Sequence, residues 1–89
     1  MLITQVQGDP DTGGGIIETP IQNFVKANGI LVSVDGSPVS DHEDHTAVKT
    51  ANGSAFVKIN GIAVNIFGRA DTCGHTRAGT QVSWFTIEN

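Results

Sequence analysis

The sequence predicts a small all-β domain of short hairpins arranged about a pseudo-threefold axis, and three observations carry that expectation. First, 11 glycines and three prolines interrupt segments rich in Val, Ile, Thr and Ser, and no segment reads as a helix. Second, Phe24-Val25-Lys26-Ala27-Asn28-Gly29-Ile30-Leu31-Val32 recurs as Phe56-Val57-Lys58-Ile59-Asn60-Gly61-Ile62-Ala63-Val64, differing only at Ala27/Ile59 and Leu31/Ala63. Third, every histidine and the only cysteine fall in two short clusters, Asp41-His42-Glu43-Asp44-His45 and Asp71-Thr72-Cys73-Gly74-His75.

Asn-Gly between two β-prone segments is a strong hairpin signal, because a type I′ turn needs positive φ at both central residues. Two hairpins are therefore expected, turning at Asn28-Gly29 and Asn60-Gly61. A third copy is split between the ends of the chain. Phe24–Asn28 and Phe56–Asn60 match Phe85-Thr86-Ile87-Glu88-Asn89, and the missing return strand is Leu2-Ile3-Thr4-Gln5-Val6-Gln7-Gly8, which aligns with Ile30–Gly36 and Ile62–Gly68. Apolar residues alternate along these return segments as a half-buried strand requires. The expected organisation is one domain, 1–89, with a split repeat at 1–23 with 79–89 and further copies at 24–45 and 56–75. The terminal strands pair, and three equivalent surfaces suit a trimeric partner.

A chain of 89 residues buries only about 60–65% of its unfolded surface, so its core is marginal. One cysteine cannot close an intrachain disulfide, which leaves a metal or a partner as the source of extra stability. The formal charge of −4, with only five scattered basic residues, argues against a nucleic-acid surface. No apolar run approaches the roughly 20 residues that span a bilayer, and the N-terminal residues lack signal-peptide features, so cytoplasmic synthesis without a signal peptide is expected.

The loops after Gly8, Gly36 and Gly68 are expected to leave the body at the pole opposite the Asn-Gly turns. The first, from Asp9 to about Asn23, holds no His or Cys; the second carries His42 and His45, and the third Cys73 and His75. Three imidazoles and one thiolate form a complete donor set for one structural zinc ion. Asp41, Glu43, Asp44 and Asp71 are candidates to replace a donor or to hydrogen-bond the ligand imidazoles.

Catalysis is not expected. A catalytic zinc usually keeps an open position, and His42-x-x-His45 on a loop lacks the i, i+4 helical placement of the H-E-x-x-H proteases that would make Glu43 a general base. A Cys73–His75 nucleophilic pair is discounted because zinc shields a bound thiolate. Gly13-Gly14-Gly15 has no lysine in P-loop spacing and reads as a flexible turn. Asn52-Gly53-Ser54 has the form of a glycosylation acceptor, without a secretory context. Trp84 and Phe85 belong either to the core or to an apolar partner face.

Lys58-Ile59-Asn60-Gly61-Ile62-Ala63-Val64-Asn65, then Gly68, Asp71-Thr72-Cys73-Gly74-His75-Thr76 and Gly79, resembles the repeat of PAAR-domain proteins. The opening Gly8-Asp9-Pro10 resembles their G-D-P segment. The name-giving Pro-Ala-Ala-Arg is replaced by Ile62-Ala63-Val64-Asn65 and by Ile30-Leu31-Val32-Ser33. The resemblance implies a small conical fold with zinc near its tip, held by His42, His45, Cys73 and His75. It implies a structural, non-enzymatic role: a monomer that caps and sharpens the trimeric β-helical spike protein of a contractile injection machine, a phage tail baseplate or a type VI secretion apparatus, and touches the target membrane transiently. The alternative is a zinc-stapled adaptor that docks an effector or toxin onto the spike. The expected spike-facing residues are Asn28, Gly29, Asn60, Gly61 and Asn89.

Overall fold

The computed structural model of the chain describes residues 2–42, 44–82 and 84–87. All regular structure among them is β: β1 (Leu2–Ile3), β2 (Lys26–Ala27), β3 (Ile30–Leu31), β4 (Lys58–Ile59), β5 (Ile62–Ala63) and β6 (Thr86–Ile87). These form three antiparallel pairs, β1 with β6, β2 with β3 and β4 with β5. Asn28 and Gly29 have φ of 55° and 80°, Asn60 and Gly61 of 55° and 78°. Both tight turns therefore have the doubly positive geometry that Asn-Gly adopts at little cost.

The three return segments are joined to one another in a closed cycle. The Gln5 N–H donates to the Asn65 carbonyl (3.1 Å), Asn65 N–H to Ser33 O (3.0 Å) and Ser33 N–H to Gln5 O (2.9 Å). Bridges Thr4↔Ile66, Val6↔Val32 and Val34↔Val64 repeat the same relation, each linking the third position of one copy to the fifth of another. No single hairpin this short is stable alone; closing three into a ring supplies the return segments with backbone partners from one another. The side chains of Val6, Val32, Val34, Val64, Ala27 and Val82 form the core. A fully buried aliphatic side chain of this kind contributes about 1.5–3 kcal/mol.

The pairing register corrects one step of the sequence alignment. Ile3 pairs with Thr86 as Leu31 pairs with Lys26 and Ala63 with Lys58. The Phe85 carbonyl likewise accepts from Thr4 N–H where Val25 and Val57 accept from Val32 and Val64. Trp84, not Phe85, is thus the counterpart of Phe24 and Phe56. A matching Phe drew the alignment one residue out of step, and in a strand such a step exchanges the two faces. Phe85 packs half-buried on the core, and Trp84 is exposed.

Beyond Gly8, Gly36 and Gly68, whose φ values of 92°, 87° and 84° turn each chain outward, the loops diverge in length. Bridges close the first between Pro10 and Ile16 and the third between Ala70 and Thr76, whereas the second is closed between Pro38 and Lys49. The second loop is therefore five residues longer (49 − 38 = 11 against 16 − 10 = 6), and those extra residues carry His42 and His45. The loops clasp each other through bridges Ile17↔Val39 and Asp11↔Arg77, and through Thr72 N–H donating to Lys49 O (3.0 Å).

Candidate metal centre

His42, His45, Cys73 and His75 come together so that one donor atom from each lies within 4.8 Å of all the others, and the group could hold a metal ion. Local backbone geometry puts the donors in place. In the longer loop His42 N–H donates to His45 O (3.1 Å) and His45 N–H to His42 O (2.8 Å), which brings the two imidazoles together, ring centroids 5.4 Å apart. The third loop bends at Gly74, φ 94°, with Asp71 N–H donating to His75 O (2.8 Å), so Cys73 and His75 face the same side.

The spacing suits tetrahedral coordination. His42 Nε2 lies 3.1 Å from His75 Nδ1, and Cys73 Sγ lies 3.7 Å from His42 Nε2 and 3.6 Å from His75 Nδ1. Metal–nitrogen bonds of about 2.0 Å and a metal–sulfur bond of about 2.3 Å place tetrahedral neighbours roughly 3.3 Å (N to N) and 3.6 Å (N to S) apart. The fit is supported by two further features. His42 Nδ1 sits 2.8 Å from the Ser40 carbonyl, which fixes the tautomer and leaves Nε2 with its lone pair toward the cluster. His45 Nδ1 is buried with no hydrogen-bond partner among the described residues, a costly arrangement that coordination removes.

The glycine-rich first loop, expected to be a flexible turn, is an ordered support for this cluster. Asp11 Oδ1 accepts from Gly13 N–H (2.9 Å) and Gly15 N–H (2.8 Å), and Asp11 N–H donates to Gly15 O (2.8 Å). A Cβ at Gly13 would enter the His75 ring, and one at Gly15 would lie 2.5 Å from His42 Cε1. These glycines are bare because imidazoles rest on them. The aspartate that tethers the turn supplies the order that composition alone conceals.

Beneath the donors lies a buried ionic group. Arg77, 1% exposed, donates through NH2 to Asp71 Oδ2 (2.7 Å) and through NH1 to Asp9 O (3.2 Å), while Asp11 Oδ2 stands 3.5 Å from Arg77 NH2 and 3.3 Å from His42 Nε2. Burial raises the Asp71 pKa to about 6; Arg77 opposes the rise and neighbouring Asp11 reinforces it. Burial also pushes Asp11 upward, but the Gly15 and Gly13 N–H bonds, Asp71 and His42 outweigh it and hold Asp11 below its ordinary value. One arginine thus stands between two carboxylates of different proton affinity.

Of the carboxylates considered from sequence, Asp41 and Asp44 are exposed and outside the donor group, Asp71 pairs with Arg77 rather than with an imidazole, and Glu43 lies outside the described residues. A carboxylate that does stand beside an imidazole is Asp11, from the loop without His or Cys, 3.3 Å from His42 Nε2. Asn28, Gly29, Asn60 and Gly61 are exposed at the two turns, and Asn89 lies outside the described residues. Among the described residues no helix is long and apolar enough to cross a membrane. No protein-family model matches the chain, and no curated protein is significantly similar to it.

Proposed function

We propose that this chain is a structural tip protein that caps and sharpens the trimeric β-helical spike of a contractile injection machine, a phage tail baseplate or a type VI secretion apparatus. The observation that carries this reading is the cyclic Gln5–Asn65–Ser33 hydrogen-bond ring, which gives one polypeptide a threefold body. A monomer with three equivalent faces closes the end of a threefold trimer without leaving one subunit uncapped. The resemblance of the Asn-Gly and Cys-x-His elements to PAAR proteins supports the same assignment.

Zinc is the metal we assign to His42, His45, Cys73 and His75, since three imidazoles and a thiolate suit its borderline-soft character and four protein donors describe a closed structural site. Bound there, the ion would cross-link the second and third loops and stiffen the pole they form. The residues themselves do the rest: Ser40 orients His42, and Gly13 and Gly15 make room for the rings.

Co-elution of the purified chain with the trimeric spike protein of its own particle, at one chain per trimer, tests the reading, together with metal analysis. Stoichiometric binding and one zinc per chain are expected. Failure to bind the trimer overturns the tip assignment, and a metal-free chain of unchanged thermal stability overturns the structural zinc.

A further inference from the structure

Phe24, Phe56 and Trp84 are the three most exposed large apolar side chains among the described residues, at 72%, 77% and 66%. They occupy one and the same position of the threefold body, each immediately preceding the residue whose carbonyl accepts from Val32, Val64 or Thr4. An isolated exposed aromatic is ordinary; three at symmetry-equivalent positions define a repeated surface. Their backbone is also held in place. Gln22 Oε1 accepts from Phe24 N–H (2.8 Å), and Ser54 Oγ accepts from Phe56 N–H (3.2 Å). In the third copy Phe85 N–H donates to Val82 O (3.4 Å) beside Trp84. Three different devices keep the same side chain outward.

The surroundings indicate what such a surface meets. Val57, Phe85, Ile59, Ile62, Ile30 and Ile87 pack on the core from the hairpin side and remain only partly buried. Lys26 and Lys58, two of the three lysines of a chain with net charge −4, are exposed on the hairpin strands two residues beyond Phe24 and Phe56. The surface is therefore apolar at three equivalent positions and basic beside two of them, Thr86 standing in the third copy where the others have lysine.

We propose that Phe24, Phe56 and Trp84 are three equivalent anchors, each seated in an apolar pocket of a different subunit of a homotrimer whose rim is acidic; this rests on the spike-tip reading above. Rigid aromatic anchors in pockets carry much of the affinity of protein interfaces. A homotrimer offers three identical pockets, so the three aromatics contribute alike, and Trp84 substitutes for a phenylalanine without a distinct role. An asymmetric partner would engage one or two of the three and leave the rest idle.

The test measures affinity for the trimeric spike protein of the same particle with Phe24→Ala, Phe56→Ala, Trp84→Ala, the triple alanine variant and Trp84→Phe. Each single alanine change is expected to weaken binding about tenfold or more, the three losses agreeing within roughly threefold. Trp84→Phe is expected to bind nearly as well as the parent. All three side chains are at the surface, and unchanged cobalt absorption at the His and Cys donors reports a folded chain. Parent-like binding by the triple variant overturns the anchors while leaving the tip assignment intact. Loss confined to one position overturns the threefold partner. A parent chain that ignores the trimer but self-associates, or that floats with anionic vesicles in an aromatic-dependent way, overturns both readings.

Discussion

The turns at 11–15 and 71–75 are two copies of one device turned to different ends. Asp11-Thr12-Gly13-Gly14-Gly15 and Asp71-Thr72-Cys73-Gly74-His75 share Asp, Thr and the fourth-position Gly. In each, the aspartate N–H donates to the carbonyl four residues on, Gly15 O or His75 O, and the N–H of Gly14 or Gly74 returns to the aspartate carbonyl. Gly14 and Gly74 have φ of 89° and 94°. The third loop fills the two remaining positions with donors; the first leaves them empty and receives His75 and His42 on bare backbone. One four-coordinate ion at these donors would have no room for a donor pair from each of three loops. One copy supplies ligands and another supplies the space in which they lie.

Removing an ion held by these donors should break this comparison most severely, because of the two turns only 71–75 carries ligand residues. Chelation, or Cys73→Ser, is expected to lower Tm by on the order of 15 °C or more, given that structural zinc contributes several kcal/mol at least and about 1 kcal/mol moves Tm by 4–8 °C in a domain of this size. Calorimetry with parallel metal analysis checks it, and an unchanged Tm in demonstrably metal-free protein contradicts it.

Arg77 and Ile17 provide the next contrast, since bridge Asp11↔Arg77 corresponds to bridge Ile17↔Val39 in the repeat. Arg77→Met leaves Asp71 and Asp11 buried without their cation and is expected to cost about 3–5 kcal/mol. Ile17→Val, at the apolar counterpart, is expected to cost only about 0.5–1.5 kcal/mol. Urea denaturation of the two variants compares them directly; equal losses would show that the ionic pair behaves as mere packing.

Smaller, and more specific, is the effect of restoring a Cβ to the empty copy. Gly15→Ala presses on His42 and is expected to cost about 1–3 kcal/mol and to weaken metal binding roughly 10–100-fold. Gly74→Ala has no atom within 4 Å of the added methyl, so only positive-φ strain of about 1–2 kcal/mol is expected, with the donors less displaced. Competition against a chromogenic chelator separates the two; identical metal affinities would refute the claim that the first loop is a rest for the rings.

The smallest expected effect lies at Asp9, which accepts from Val6 N–H (2.9 Å) and Gln81 N–H (2.9 Å) and is fully buried. Burial raises its pKa above 3.8 despite the Val6 and Gln81 hydrogen bonds. The folded chain therefore holds this proton more tightly than the unfolded one. The stability so gained is complete below pH 3.8 and is lost as pH rises through the folded value. Asp9→Asn abolishes that slope, so its destabilisation relative to the parent should shrink as pH rises from 4 to 7. Denaturation curves at several pH values measure it, and a constant difference would exclude Asp9 as the titrating group.

The sequence by itself determined the hairpins and the donors. Asn-Gly demands a doubly positive turn wherever it joins two strand-prone segments, and no other residues in the chain offer imidazole or thiolate. Even the kinship of 11–15 with 71–75 is legible as Asp-Thr-x-Gly-x, although composition suggested a slack turn where the Asp11 carboxylate imposes an ordered one. Only the tertiary structure decided what depends on neighbours distant in the chain. The register of β6 against β1, and with it the placing of Trp84 rather than Phe85 beside Phe24 and Phe56, followed from hydrogen bonds across more than 80 residues (Thr4 to Phe85). The same holds for Arg77, whose burial between Asp71 and Asp11 no local pattern announces, because a charge is drawn inside only where distant carboxylates converge to receive it.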